Sequence, residues 1–224
     1  MRHERPVAGK DEVTPQAPCD GEALYRWLMQ DAGASGGDPF DAHIAASLLA
    51  IALAEAQGRG ADLTAALGLD PAQLAGFVAQ VFPYAVGWPP LAVPGARPER
   101  TADEACLLDL LTRCTTSGTA FQGWLAAIMA RRAQRPNHLW QDLGLRNRGE
   151  LSQLMKRHFK PLALRNSQDM KWKKFLYRMI CADASYTLCT APSCAECDDF
   201  SLCFGDETGE SMLAQTRRAA ETGA

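Results

Sequence analysis

The stretch CTAPSCAECDDFSLC, beginning at position 189, sets Cys189, Cys194, Cys197 and Cys203 in a C-x4-C-x2-C-x5-C spacing. Thiolates this close together hold soft metal ions or iron–sulfur clusters. Structural zinc sites usually join two short C-x2–4-C knuckles across a longer insert. Here a single C-x2-C is flanked by wider gaps, so one loop can wrap an object larger than a single ion. The spacing favours an iron–sulfur cluster and leaves zinc open as the alternative. Ser193 and Ser201 can donate hydrogen bonds to sulfur, and Phe200, Leu202 and Phe204 can shield it from water. Asp198, Asp199, Asp206 and Glu207 add negative charge around an assembly that is already anionic, which calls for cations nearby.

The preceding sequence supplies them. The net charge of −3 hides a strong asymmetry, because residues 131–178 carry 13 Lys/Arg against 3 Asp/Glu. Acidic blocks lie on both sides: residues 1–130 carry 8 Lys/Arg against 15 Asp/Glu, and residues 179–224 carry 2 against 8. A basic block of this kind reads as a surface that meets an anion, or simply as a solvated face. In RNSQDMKWKKFLYR, Lys171, Lys174 and Arg178 follow at i, i+3 and i+7, a spacing that predicts one shared helix face. Met170, Phe175, Met179 and Ile180 are expected in the core. Upstream, His138 and Asp142 are four apart, so a helix would point them the same way, and His138 is a candidate metal or oxyanion contact. His158 is a weaker candidate, and His3 and His43 carry no functional reading. Cys106 and Cys114, in a leucine-rich helix, are expected as buried packing residues. Cys181 is a spare thiol near the motif, and Cys19 is incidental.

The elements that must position these groups are helices. Asp20, Asp38 before Pro39, Asp70 before Pro71, Thr101 with Glu104, and Asn147 with Glu150 all read as helix starts, and Asn166 with Asp169 reads as the start of the last long helix. Gly68 and Pro83 read as stops, and the proline- and glycine-rich stretch 83–98 reads as a loop. No β-alternation persists. The expected fold is all-α, a single domain of about seven to nine helices with a C-terminal four-cysteine cluster-binding loop. The expected organisation is a disordered N-terminal segment over 1–18, a helical domain over 19–182, a cysteine-rich metallocluster loop over 183–207 and a flexible tail over 208–224. The opening residues lack the apolar core of a leader, and the apolar run AHIAASLLAIALAEA is too short to cross a bilayer, so a cytoplasmic location with no membrane partner is expected. A reducing compartment makes clustered cysteines metal ligands rather than disulfides.

Four blocks in order, RPNHLWQDLGL, ELSQLM, RNSQDMKWKKFLYR and the cysteine motif followed by FGDE, resemble the NifQ family of nitrogen-fixation proteins. The likeness is dense over roughly 124–207 and diffuse before that. It implies a role in making the iron–molybdenum cofactor of nitrogenase. By that resemblance Cys189, Cys194, Cys197 and Cys203 hold a molybdenum–iron–sulfur cluster, with a 3Fe–4S or 4Fe–4S precursor as admitted forms. The implied partners are molybdate and the nitrogenase cofactor-assembly proteins. The implied role is that of a carrier rather than a turnover enzyme, and Lys171, Lys174, Arg178 and His138 become candidate molybdate or partner contacts.

Two other classes compete. Some DNA-repair glycosylases hold an iron–sulfur cluster after an all-α domain, but their first cysteine gap is two residues longer. Their glycine-rich hairpin and the catalytic residue after it are not evident here, so nucleic acid is not an expected partner. A zinc-stabilised interaction module is the other alternative. No nucleophile elbow, H-E-x-x-H or Walker loop is present.

Overall fold

Short polar side chains start most of the helices, and each does so by taking a backbone N–H that the first turn leaves unpaired. Asp20 accepts from Ala23 N at 2.8 Å, Asp38 from Phe40 N at 2.9 Å and Asp62 from Ala65 N at 2.6 Å. Asp70 accepts from Gln73 N at 2.9 Å while Gln73 reaches back to Asp70 N at 3.0 Å, a full capping box. Thr101, Thr119 and Asn147 accept from Glu104 N, Gln122 N and Glu150 N. The computed structural model describes residues 20–30, 37–59, 62–88 and 98–183, together with 207, 209, 211 and 212.

Among these residues there are ten α-helices, one short 3-10 turn and no strand. In chain order they are α1 (Gly21–Gln30), α2 (Pro39–Arg59), α3 (Leu63–Leu67), α4 (Pro71–Val81), the 3-10 turn Pro83–Ala85, α5 (Ala102–Arg113), α6 (Ala120–Arg132), α7 (Leu139–Asp142), α8 (Arg148–His158), α9 (Lys160–Arg165) and α10 (Trp172–Asp183). The count exceeds the expected seven to nine because α7 and α9, of 4 and 6 residues, are too short to show helical periodicity.

Helices α2 and α6 form the centre. From α2, Ile44, Leu48, Leu49 and Ile51 are fully buried or nearly so, and α1, α3 and α4 pack on it. From α6, the unbroken run Leu125–Ala130 is buried, and α5, α3 and α4 pack against it. Helix α10 closes on α5 through Trp172, Phe175 and Leu176. Pro39–Gln57 is apolar and long enough to cross a bilayer, contrary to the shorter run read from sequence, yet most of it is buried inside the fold as the central helix.

Polar side chains tie this core together. His43 joins Tyr25 at 2.8 Å to Glu150 at 3.1 Å, linking α1, α2 and α8. His158 meets Asp41 at 2.9 Å, and Arg157 spans Asp38 and Asp41, so His158 is a packing and ion-pair residue. Arg157 hydrogen-bonds the Asp38 carboxylate and lowers its pKa against a small opposing burial effect. Glu104 is wholly buried between Arg131 and Arg100; burial raises its pKa and the two guanidinium groups oppose that rise. It therefore faces the core instead of returning to Thr101 as a capping-box partner.

Three sequence expectations need correction. Helix α10 begins at Trp172 rather than after Asn166. Asn166 instead brackets a turn, donating to Met170 O and accepting from Met170 N, both at 2.9 Å, while Asp169 takes a φ of 55°. Cys106 is exposed and Cys114 half-buried, because α5 turns Glu104, Leu107, Leu110 and Leu111 inward and leaves position 106 off that face. Lys171, lying before α10, shares no helix face with Arg178.

Gly144, directly after α7, has a φ of 72°, and a Cβ there would lie 2.8 Å from Ser47 O and 3.1 Å from Ile51 Cβ. Left-handed backbone and a clash with α2 act together, so Gly144→Ala should cost about 2 kcal/mol or more of unfolding free energy. Urea unfolding followed by circular dichroism checks this, and an unchanged midpoint would refute the close approach of α7 to α2.

Candidate functional site

The cleft that meets the basic block is framed by buried charge. Arg132, at the end of α6, is 0% exposed. Its two terminal nitrogens donate to the Glu55 carboxylate of α2 at 2.7 and 2.8 Å, and Arg135 adds a third contact to Glu55 at 3.1 Å. Its Nε donates to the backbone oxygen of Asp142, at the end of α7, at 2.5 Å. A planar fork of donors suits this double duty, since two of its edges can face different helices.

Asp142 extends the network. Its carboxylate, 2% exposed, accepts from Lys173 Nζ at 2.5 Å and Asn137 Nδ2 at 3.0 Å. Lys173 also donates to Arg135 O, so the first turn of α10 is fastened to the loop between α6 and α7. Burial lowers the Lys173 pKa, and the hydrogen bond and charge of Asp142 oppose the fall. His138 and Asp142 are thus i, i+4 as read from sequence, but Asp142 serves the frame while His138 faces the cleft.

The cleft itself has a volume of about 530 Å³. His138, Lys171, Lys173, Lys174, Gln141 and Glu207 are among its walls. It brings together three of the four candidate contacts, His138, Lys171 and Lys174. Arg178 lines a separate cleft of about 270 Å³ with Arg165, Asn166 and Phe175. Lys173 and Glu207 were not among the candidates. Lys173 gave no local signal, since its partner lies 31 residues away in sequence.

Glu207 is the point where the chain returns after the cysteine motif. Its side chain is 3% exposed, with Oε1 3.4 Å from His138 Nδ1 and Oε2 3.8 Å from Arg148 Nε. Gly209 packs on the same short helix: a Cβ there would lie 2.7 Å from Gln141 Nε2. Gln141 is itself held, accepting from His138 N at 3.2 Å. Cys189, Cys194, Cys197 and Cys203 lie outside the described residues, as does the segment 1–18. In sequence the four cysteines fall between α10, which ends at Asp183, and Glu207, which lines the cleft with Lys171 and Lys174.

Breaking the inner pair should be costly. Lys173→Met leaves the buried Asp142 carboxylate with only Asn137, which should lower stability by about 3 kcal/mol. The double variant Lys173→Met, Asp142→Asn should recover more than half of that loss, because the uncompensated charge is removed with its partner. Denaturant titrations of the single and double variants provide the cycle, and additive losses would contradict a coupled pair.

Comparison with known proteins follows the same residues. The sequence profile of the NifQ family matches residues 44–205, which includes the frame, the cysteine motif and every named cleft residue except Glu207. A protein named NifQ homolog from Sinorhizobium fredii (strain NBRC 101917 / NGR234) is 40% identical over 176 residues, covering 77% of this chain and 75% of the relative. Protein NifQ of Rhodobacter capsulatus is 42% identical over 161 residues, covering 71% of this chain and 87% of the relative. Protein NifQ of Klebsiella pneumoniae is 46% identical over a shorter stretch of 83 residues, covering 37% of this chain and 50% of the relative. No solved structure matches the chain. With a profile that spans most of its length and relatives aligned along three quarters of theirs, the chain belongs to the NifQ family.

Proposed function

We propose that this chain is a metallocluster carrier: it binds a molybdenum–iron–sulfur cluster on Cys189, Cys194, Cys197 and Cys203 and supplies molybdenum for biosynthesis of the nitrogenase iron–molybdenum cofactor. Family membership supports the pathway. The observation that carries the reading is the position of Glu207, which seats the chain in the basic cleft only four residues after Cys203. Four residues reach at most about 14 Å when fully extended. Chain length alone thus limits how far position 203 can be from the cleft that Glu207 lines with Lys171, Lys174 and His138.

The chemistry is consistent on both sides of that tether. Molybdate is a dianion, and two lysines at the mouth of a cleft raise its local concentration without any specific bond. Thiolate and sulfide are soft ligands suited to iron and to reduced molybdenum. The cluster is cargo in this scheme, received at the cleft and handed to the cofactor-assembly proteins. Arg178 and Arg165, around the second cleft, are contacts for such a partner rather than for molybdate. No reaction on an organic substrate is required, and the role is that of a carrier in place of a turnover enzyme.

Iron, molybdenum, zinc and sulfide should be counted per chain after anaerobic purification. Iron and sulfide should accompany molybdenum, and all three should be lost when any of the four cysteines is changed to Ala. Cys106→Ala should leave the content unchanged. Zinc without sulfide would eliminate the carrier reading in favour of a zinc module.

A second measurement addresses the lysines. Reversing both charges, Lys171→Glu with Lys174→Glu, should slow molybdenum uptake about tenfold or more at low salt, and the gap to wild type should narrow as salt rises. Equal uptake at every ionic strength would remove the lysines from the route.

A further inference from the structure

We infer that His138 and Glu207 are non-thiolate metal ligands, a nitrogen and an oxygen donor that hold the molybdenum beside the cysteine-bound cluster. The inference rests on the carrier reading and extends it to residues outside the cysteine motif.

The geometry of the pair is the first observation. His138 Nδ1 and Glu207 Oε1 are 3.4 Å apart. A charge-assisted hydrogen bond between such groups closes to about 2.7–2.9 Å. Two protein ligands at about 2.0–2.2 Å from one metal ion, separated by 90–109° at the metal, stand about 3.0–3.6 Å apart. The pair therefore has the bite of adjacent ligands on a common metal and is too open for a strong direct hydrogen bond.

Burial is the second observation. The Glu207 side chain is 3% exposed, and its Oε2 is a buried oxygen with no hydrogen-bond partner among the described residues. Arg148 Nε, at 3.8 Å, is beyond hydrogen-bond reach and is turned to Asp169 as well. A carboxylate oxygen left this way costs about 1–3 kcal/mol or more, so a native fold keeps one where something else completes it. A metal ion in the cleft completes it.

Support for the pair is the third. Ring and carboxylate come from segments that are themselves fixed, since His138 N donates to Gln141 Oε1 and Gly209 packs on the Gln141 amide. The cleft wall beside them carries Lys171 and Lys174, whose positive charge offsets that of the carboxylate and of an anionic sulfide cluster. A nitrogen and an oxygen donor complete the shell of the molybdenum, while the thiolates hold the iron of the same cluster.

The test uses the full-length chain, loaded anaerobically with ferrous iron, sulfide and molybdate, and the variants His138→Gln and Glu207→Gln, which keep volume and polarity. Molybdenum per chain should fall about tenfold or more in each variant while iron and sulfide stay at the wild-type level. X-ray absorption at the molybdenum edge should lose nitrogen and oxygen neighbours near about 2.1 Å in whatever molybdenum remains. Undiminished molybdenum with an unchanged spectrum would overturn the assignment, and so would iron lost in step with molybdenum, which is the mark of a merely structural pair. A wild-type chain that takes up molybdenum without iron or sulfide would fail the carrier reading alone, and the two variants would still decide the ligands.

Discussion

A guanidinium with no access to water sets the geometry of this protein. Arg132 sits at the junction of α2, α6 and α7, and an unpaired charge there would cost far more than any single packing defect. Its position is tolerable only because Glu55 takes two of its donors and the Asp142 carbonyl takes a third. The arrangement then propagates. Asp142 is drawn into the interior by its own helix, which makes its carboxylate a second buried charge, and Lys173 is the answer to that one. Charges alternate along the series Glu55, Arg132, Asp142, Lys173, so each helix is held by a neighbour of opposite sign. Apolar contacts among the same helices could slide by a turn, whereas a forked hydrogen-bonding pair cannot.

The cleft is a by-product of that registry. Helix α7 is only 4 residues long and has too little apolar surface to fix its own orientation. Held at its C-terminal end by Arg132 and Lys173, it turns its N-terminal end, with His138, toward the start of α10 and Lys171 and Lys174. The frame also consumes much of the charge that makes residues 131–178 so basic. Arg131, Arg132, Arg135, Arg148, Arg157 and Lys173 all hold partners within the fold. Net charge by block therefore overstates the surface that can attract an anion.

This division explains what could be read from sequence and what could not. Helix starts were legible because a cap is a local bargain between one side chain and a backbone N–H three residues on, as Asp70 and Asn147 illustrate. The cysteine motif was legible for the same reason, being a spacing within fifteen residues. The misreadings are non-local. Asn166 has the look of a cap, yet its side chain closes a turn on Met170, and the helix waits until Trp172. Lys171, Lys174 and Arg178 fit one helical face on paper, but Lys171 lies before the helix, and Lys174 and Arg178, one turn apart within it, line different clefts. Glu104 and Lys173 were invisible as frame residues, because their partners are fixed by packing between helices and leave no mark on the neighbouring sequence.

The proposed carrier role requires a fold that survives the loss of its cargo, and the distribution of stabilising groups among the described residues meets that demand. In small zinc domains the metal supplies the folding free energy, and removing it unfolds the chain. Here the described core is apolar helix surface knitted by Arg132, Glu104 and their partners. Among the described residues Cys106 and Cys114 are the free cysteines, and neither belongs to its fully buried set. The four clustered cysteines follow α10 in sequence and precede the Glu207 contact. If the His138–Glu207 pair holds the molybdenum as inferred, giving it up leaves the buried carboxylate oxygen unpaired again, at a cost of about 1–3 kcal/mol. That is a scale on which a partner protein can compete.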